Sequence, residues 1–245
     1  LNITVLGYQS PYPGFQQATL GYLLESQNGT KVLLECGSGV VSAMQEWIEP
    51  YQLDAVLLSH YHFDHVADLG ILQYAILMEN KLQNKSKVLP IYGPSEPNDR
   101  SAHRMYKDVT IAIDIAEDVT HTIGEFRISY FQTDHDGPCY GMVIEEGYKM
   151  LLYGADSGPQ TKWPSLAAQP DLMVLESTFL EKNRNPQVKH LTAADAAKIA
   201  NQFTSKRLLL THFYPKMNPQ FYLQEAQLHY SNEILLPSKG LKIIL

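Results

Sequence analysis

Within Ser59-His60-Tyr61-His62-Phe63-Asp64-His65, four side chains able to ligate a metal occupy the six positions from His60 to His65. Imidazole nitrogens with a carboxylate oxygen suit zinc, and also manganese or iron. The four cannot all wrap one ion, since His60 and His62 must turn one way and Asp64 and His65 another. That division favours two ions side by side, each completed by ligands from distant segments. Three further candidate ligands stand out because each follows a strand: His135 after Gln132-Thr133-Asp134, Asp156 within Tyr153-Gly154-Ala155-Asp156-Ser157-Gly158, and His212 after Leu208-Leu209-Leu210-Thr211. The competing reading of the His-rich run is a solvated polar loop, but so specific a pattern seldom arises by chance.

The elements that must hold these groups alternate between strand and helix. Asp54–Ser59 is a continuous apolar run that reads as a buried strand, and Val66–Glu79 reads as a mostly buried helix on the far side of the His-rich run. Ile3–Gly7, Ala18–Glu25, Lys31–Glu35 and Val88–Tyr92 read as strands, with Asn28-Gly29 as a hairpin turn between the second and third. Ser38–Trp47 and a stretch near Asp99–Lys107 have helical spacing. In the second half, Glu125–Phe131, Tyr140–Glu145, Lys149–Leu152, Asp171–Glu176 and Arg207–Thr211 read as strands. Ala193–Phe203 and Pro219–Tyr230 read as helices, the first with Thr192 as its N-cap. No linker separates the halves, so the expectation is one α/β domain over residues 1–245, two packed sheets with helices outside.

Composition narrows the class. The chain has 245 residues, 44% of them hydrophobic and 18% charged, which excludes disorder for its bulk. The net charge of −7 excludes a globally basic surface for nucleic acid. Only Cys36 and Cys139 are present, so neither a disulfide framework nor a cysteine zinc finger exists, and two reduced, buried thiols are expected. No apolar run approaches the roughly 18 residues of a membrane span. Without an export signal, the expected location is the cytoplasm. No Gly-x-Ser-x-Gly elbow is present, so a serine hydrolase is rejected.

The ordered set His60-x-His62-x-Asp64-His65, then His135, Asp156 and His212, resembles the metallo-β-lactamase superfamily over nearly the whole chain. The resemblance implies a four-layer αββα sandwich. It also implies that one ion is held by His60, His62, His135 and Asp156, and a second by Asp64, His65, Asp156 and His212, with Asp156 bridging. His62 stands where flavodiiron relatives carry Glu, which argues for hydrolysis over redox chemistry. Asp156 stands where the lactamases proper carry Cys, which argues against β-lactam cleavage. Asp54 matches that superfamily's outer carboxylate, placed to fix a ligand's tautomer; a strand-start cap is the equal alternative. A homodimer is implied by the resemblance alone.

Two divalent cations, two carboxylates and one bridging hydroxide leave about one positive charge, which suits an anionic phosphodiester. Asp64 is placed to orient that hydroxide and accept its proton. Leu175-Glu176-Ser177-Thr178 and Lys189-His190-Leu191-Thr192 resemble segments of the ribonuclease Z branch, in which a Glu supports a His that protonates the leaving group. Glu176 and His190 take the matching places, although Leu175 stands where the branch has His. Lys182, Arg184 and Lys189 make Leu180–Leu191 a net-basic loop, either solvated or holding phosphate oxygens. The expected function is a two-metal phosphodiesterase, with zinc as the first choice of metal and a small or short nucleic-acid phosphodiester as substrate. Ribonuclease Z itself is the alternative; against it, Pro94 to Thr120 is too short for the extended tRNA-binding arm of that family. A lactone or thioester hydrolase of the same fold, and a non-catalytic interaction module, are the other readings; the full ligand set argues against the last.

Overall fold

The apolar runs become strands of two mixed seven-stranded sheets, one in each of the two units into which the chain divides. The computed structural model describes residues 1–245. No helix is long and apolar enough to cross a membrane.

The first unit contains β1 (Asn2–Gly7), β2 (Gly21–Glu25), β3 (Lys31–Leu34), β4 (Ala55–Leu57), β5 (Leu89–Pro94) and β6 (Thr110–Ile115). β2 and β3 form the expected hairpin, with Gly29 in the left-handed region its turn requires (φ 95°). β3 to β6 run parallel, and β3 and β4 are buried on both faces, as parallel strands between covering layers are. Helix α1 (Val40–Met44) is a single turn and a half, shorter than the helical spacing of Ser38–Trp47 predicts. Val40, Met44, Leu72 and Ile76 pack with Leu23, Leu33 and Val56 of the strands into one buried cluster.

The helix expected over Val66–Glu79 is instead two: α2 (Phe63–Val66) and α3 (Leu69–Gln83). Asp68 makes the break. Its Oδ2 accepts the Val41 N–H at 3.1 Å, and its own N–H donates to the Cys36 carbonyl at 3.1 Å. These bonds anchor the chain where a continuous helix would have swung away, and the short α2 carries Asp64 and His65 inward. α3 is also less buried than its composition predicts: Leu69, Leu72 and Ile76 face inward, while Ile71, Tyr74 and Leu82 are exposed. α4 (Asn98–Ser101) and a 3₁₀ turn at Ala102–Arg104 replace the short helix read near Asp99–Lys107.

The second unit contains β7 (Thr120–Ile123), β8 (Phe126–Gln132), β9 (Tyr140–Glu146), β10 (Lys149–Tyr153), β11 (Leu172–Glu176), α5 (Ala193–Gln202), β12 (Arg207–Thr211), α6 (Pro219–Ala226) and β13 (Glu233–Leu235). β7 to β10 form an antiparallel meander, and β10 to β13 run parallel in that order. Thr192 caps α5 as its sequence predicts: its hydroxyl accepts the Asp195 N–H and the Asp195 carboxylate accepts the Thr192 N–H, both at 3.1 Å. The C-terminal strand β14 (Lys242–Ile244) pairs antiparallel with β1 and completes the first sheet.

In each unit several chemistry-bearing residues leave the carboxyl ends of strands that have a parallel neighbour, while His135 follows β8 of the antiparallel meander. β3 leads into Glu35 and β4 into Ser59-His60, while β10 leads to Asp156, β11 ends at Glu176 and β12 leads to His212. Glu176 and Thr211 are register partners, so the last two segments depart side by side. Strand ends of this kind can bring side chains from distant segments to one place.

Candidate functional site

In the first unit His60, His62, Asp64 and His65 gather on one short segment. His60 Nε2 and His62 Nδ1 are 3.0 Å apart, and the His60 and His65 ring centroids are 4.1 Å apart. His65 is fully buried, His60 and Asp64 are buried, and His62 is half-buried. Backbone bonds fix the segment: Leu20 N–H donates to Asp64 O at 3.1 Å and Cys36 N–H to His65 O at 2.8 Å. Gly37 is needed beside it, because a Cβ there would lie 2.0 Å from the Asp64 carbonyl oxygen.

His60, His65 and Asp64 each have a neighbour outside this group. Ser59 Oγ lies 2.9 Å from His60 Nδ1, and Glu35 Oε1 lies 3.5 Å from His65 Nδ1. The Glu35 carboxylate also accepts the Ser59 N–H, at 3.2 and 3.3 Å. The Ser10 hydroxyl donates to Asp64 Oδ2 at 2.7 Å. Glu35, and not Asp54, is therefore the carboxylate that lies beside a candidate ligand. Asp54 is exposed, and its Oδ2 accepts the Lys31 N–H at 2.8 Å, so the capping alternative holds for it. Glu35 was missed by sequence reasoning; the signal was an acid at the end of an otherwise apolar strand, directly before Cys36-Gly37. It adopts a left-handed backbone (φ 61°), strained for a non-glycine residue.

In the second unit Asp156 stands between two imidazoles. Its Oδ1 is 3.2 Å from His212 Nε2 and its Oδ2 is 3.6 Å from His135 Nε2. Asp156, His135 and His212 are all buried. The outer partners again take the Nδ1 atoms. His135 Nδ1 faces the Lys189 carbonyl at 3.4 Å, and His212 Nδ1 lies 2.7 Å from Thr178 Oγ1. His212 (φ 66°) and the neighbour Ala155 (φ 51°) are left-handed, a further sign that local geometry is subordinated to where these side chains point.

His190 joins this second group. Its Nδ1 is 2.7 Å from Glu176 Oε1 and 4.0 Å from Asp156 Oδ2, and its ring stacks on that of His212 at 5.2 Å. Burial alone would lower the imidazole's pKa; the charge and hydrogen bond of Glu176, with Asp156 beyond, outweigh burial and a smaller opposing effect of His212, so the pKa is raised above the ordinary histidine value. Asp156, His190 and His212 each offer one ligand atom within 4.8 Å of the others.

The basic loop Leu180–Leu191 is tied down internally. Arg184 binds Glu181 through two bonds of 3.0 and 2.7 Å and Asp195 through one of 2.7 Å. Lys189 Nζ pairs with Asp134 Oδ1 at 3.3 Å, and Lys182 lies over the Phe221 ring. Of the two readings of this loop, the structure gives its cations protein partners. A cavity of about 400 Å³ opens beside His190, lined by Asp134, Gln160, Asn185, Gln187 and Lys189.

The donor sets fit divalent metal ions. In both units, buried imidazoles and carboxylates converge, and outer partners on Nδ1 of His60, His135 and His212 leave Nε2 as the inward atom. That is the arrangement by which proteins fix the ligating tautomer of histidine.

The beta-lactamase superfamily domain matches residues 30–213, a span that includes both groups, and the chain belongs to this superfamily, the metallo-β-lactamase superfamily of metallo-hydrolases, and has its α/β sandwich fold. It is similar to the probable metallo-hydrolase YhfI of Bacillus subtilis (strain 168), at 33% identity over 241 residues covering 98% of each chain. The crystal structure of the metallo-beta-lactamase fold protein YhfI from that organism matches with a TM-score of 0.92 at 32% identity, covering 99% of this chain and 98% of that one. Ribonuclease Z of Alkaliphilus oremlandii (strain OhILAs) is 24% identical over 309 residues, 95% of each chain, in keeping with a ribonuclease Z-like branch.

Proposed function

We propose that the chain is a two-metal hydrolase cleaving a small or short phosphodiester, such as a cyclic nucleotide or a short oligonucleotide. One ion would be held by His60, His62, His135 and Asp156, and the other by Asp64, His65, Asp156 and His212. The chemistry such a pair supplies is ionisation of a water near neutral pH and stabilisation of negative charge on the attacked phosphoryl group. Asp64, its Oδ2 steadied by the Ser10 hydroxyl, orients the attacking water and takes its proton.

The observation that carries the reading is the Glu176–His190 pair, 2.7 Å apart and beside Asp156. Breaking a phosphodiester expels an oxygen that needs a proton. Glu176 holds the Nδ1 side of His190, which leaves Nε2 to give its proton to that oxygen as the P–O bond breaks. A lactone or thioester with a good leaving group needs this donor less. The test is hydrolysis of bis-p-nitrophenyl phosphate with added Zn²⁺ or Mn²⁺, run beside a lactone and a thioester. Preferential cleavage of the diester supports the reading, and preferential cleavage of the others overturns it.

The ribonuclease Z relatives favour a second reading, removal of the 3′ trailer of precursor tRNA. The charge of −7 and the engagement of Arg184 and Lys189 with carboxylates speak against a large polyanion. Trimming of a precursor tRNA at physiological salt decides between the two.

A further inference from the structure

Glu176 and His212 are joined by one hydroxyl. Thr178 Oγ1 lies 2.6 Å from Glu176 Oε2 and 2.7 Å from His212 Nδ1. A threonine hydroxyl has one proton, so it donates to one of these neighbours and accepts from the other. Glu176 is a buried carboxylate whose Oε2 otherwise meets only the Thr178 N–H at 3.3 Å, while its Oε1 takes the Ser157 N–H at 2.9 Å and His190 Nδ1 at 2.7 Å. A hydrogen bond to an ionised acceptor is about twice as strong as one between neutral groups. The hydroxyl proton therefore goes to Glu176, and Thr178 must accept from His212 Nδ1–H.

From this directed chain, His212 Nδ1–H to Thr178 Oγ1–H to Glu176 with His190 at its other oxygen, we propose that Thr178 is a positioning residue that locks His212 in the tautomer whose Nε2 carries the lone pair that would bind metal and ties that lock to the support of His190. The inference rests on the proposed placing of His212 among the metal ligands; it does not depend on which substrate is cleaved. Nothing in the spacing of the His-rich run points to Thr178, because its role comes from β11 and β12 ending side by side.

The test compares Thr178→Val, which keeps the shape and removes the hydroxyl, with Thr178→Ser, which restores the hydroxyl. Zn²⁺ affinity of the full chain is measured by competition with a chromophoric chelator, in the absence of substrate. The expected result is a loss of about 10–100-fold in Thr178→Val, with Thr178→Ser within a few-fold of the parent. Equal affinity in Thr178→Val and the parent, or an equal loss in both variants, overturns the proposal. A second measurement needs no variant: ¹⁵N NMR of the imidazoles in the unsubstituted protein with Zn²⁺ bound. A proton on His212 Nδ1 is expected, and metal on Nδ1 overturns the proposal. If the diester is not cleaved and the affinity result still holds, the functional reading fails while this one stands.

Discussion

Nδ1 of His190 lies 2.7 Å from Oε1 of Glu176, an oxygen that also accepts the Ser157 N–H. Ser157 directly follows Asp156, so one buried carboxylate supports the proposed donor and the backbone beside a proposed metal ligand. His190→Ala is expected to lower turnover of a diester with an alkoxide leaving group by about 10²–10⁴-fold. The same variant should cleave bis-p-nitrophenyl phosphate within about tenfold of the parent, since p-nitrophenolate leaves without a proton. Leaving-group dependence of kcat, with metal content measured on the same samples, checks this; equal losses on both substrates would falsify the donor role.

Glu35 predicts a different pattern. It faces His65 Nδ1 and accepts the Ser59 N–H. Glu35→Ala is expected to weaken metal binding by about 10–100-fold and to cost about 1–3 kcal/mol of stability, because a buried N–H loses its acceptor. Chelator competition and thermal unfolding read the two effects. Unchanged metal affinity would remove Glu35 from the account.

Asp171 supplies a pH dependence away from the metal ligands. Burial alone would raise its carboxyl pKa; the Lys206 hydrogen bond, the Met150 N–H and the charges of Lys206 and Lys149 outweigh burial and hold it below the ordinary value. A carboxyl depressed on folding adds stability above its unfolded pKa, near 3.8, and loses it as pH falls through the still lower folded value. Asp171→Ala should therefore be less stable than the parent by about 1–3 kcal/mol at neutral pH, with the gap closing below about pH 4. Urea unfolding across that range tests the sign; a gap that widens in acid would contradict it.

Arg184 separates a structural cation from a substrate-binding one. It joins Glu181 to Asp195 at the start of α5. Arg184→Gln is expected to lower stability by about 1–2 kcal/mol while KM for the diester stays within about twofold. A tenfold rise in KM with stability intact would show that the guanidinium serves the substrate instead.

The His-rich run, the strands that present His135, Asp156 and His212, and the Thr192 cap were legible because each depends on neighbours in sequence. Spacing alone also led to the expectation that His60 and His62 turn one way and Asp64 and His65 another. Glu35 was not legible, since its partners follow β4, and although Thr178 stood in a quoted segment its pairing with His212 depends on β11 and β12 ending side by side; a carboxylate or hydroxyl carries no local mark of the imidazole it will meet. Asp54 shows the reverse: of its two equal readings from position alone, the cap holds, since its exposed side chain accepts the Lys31 N–H. The break between α2 and α3 lacks a proline or glycine; it arises from Asp68 bonding to Val41 and Cys36, contacts that no helical periodicity encodes. β6 escaped notice because its TIAIDI pattern is half-exposed and ends on Asp114-Ile115, giving weak apolar contrast.

The most direct test of the account is to strip the protein with chelator and restore Zn²⁺ or Mn²⁺ in measured equivalents while following hydrolysis of bis-p-nitrophenyl phosphate. The account predicts no activity without metal and a rise that levels off at two ions per chain. A plateau at one ion, or no hydrolysis at any loading, would contradict it.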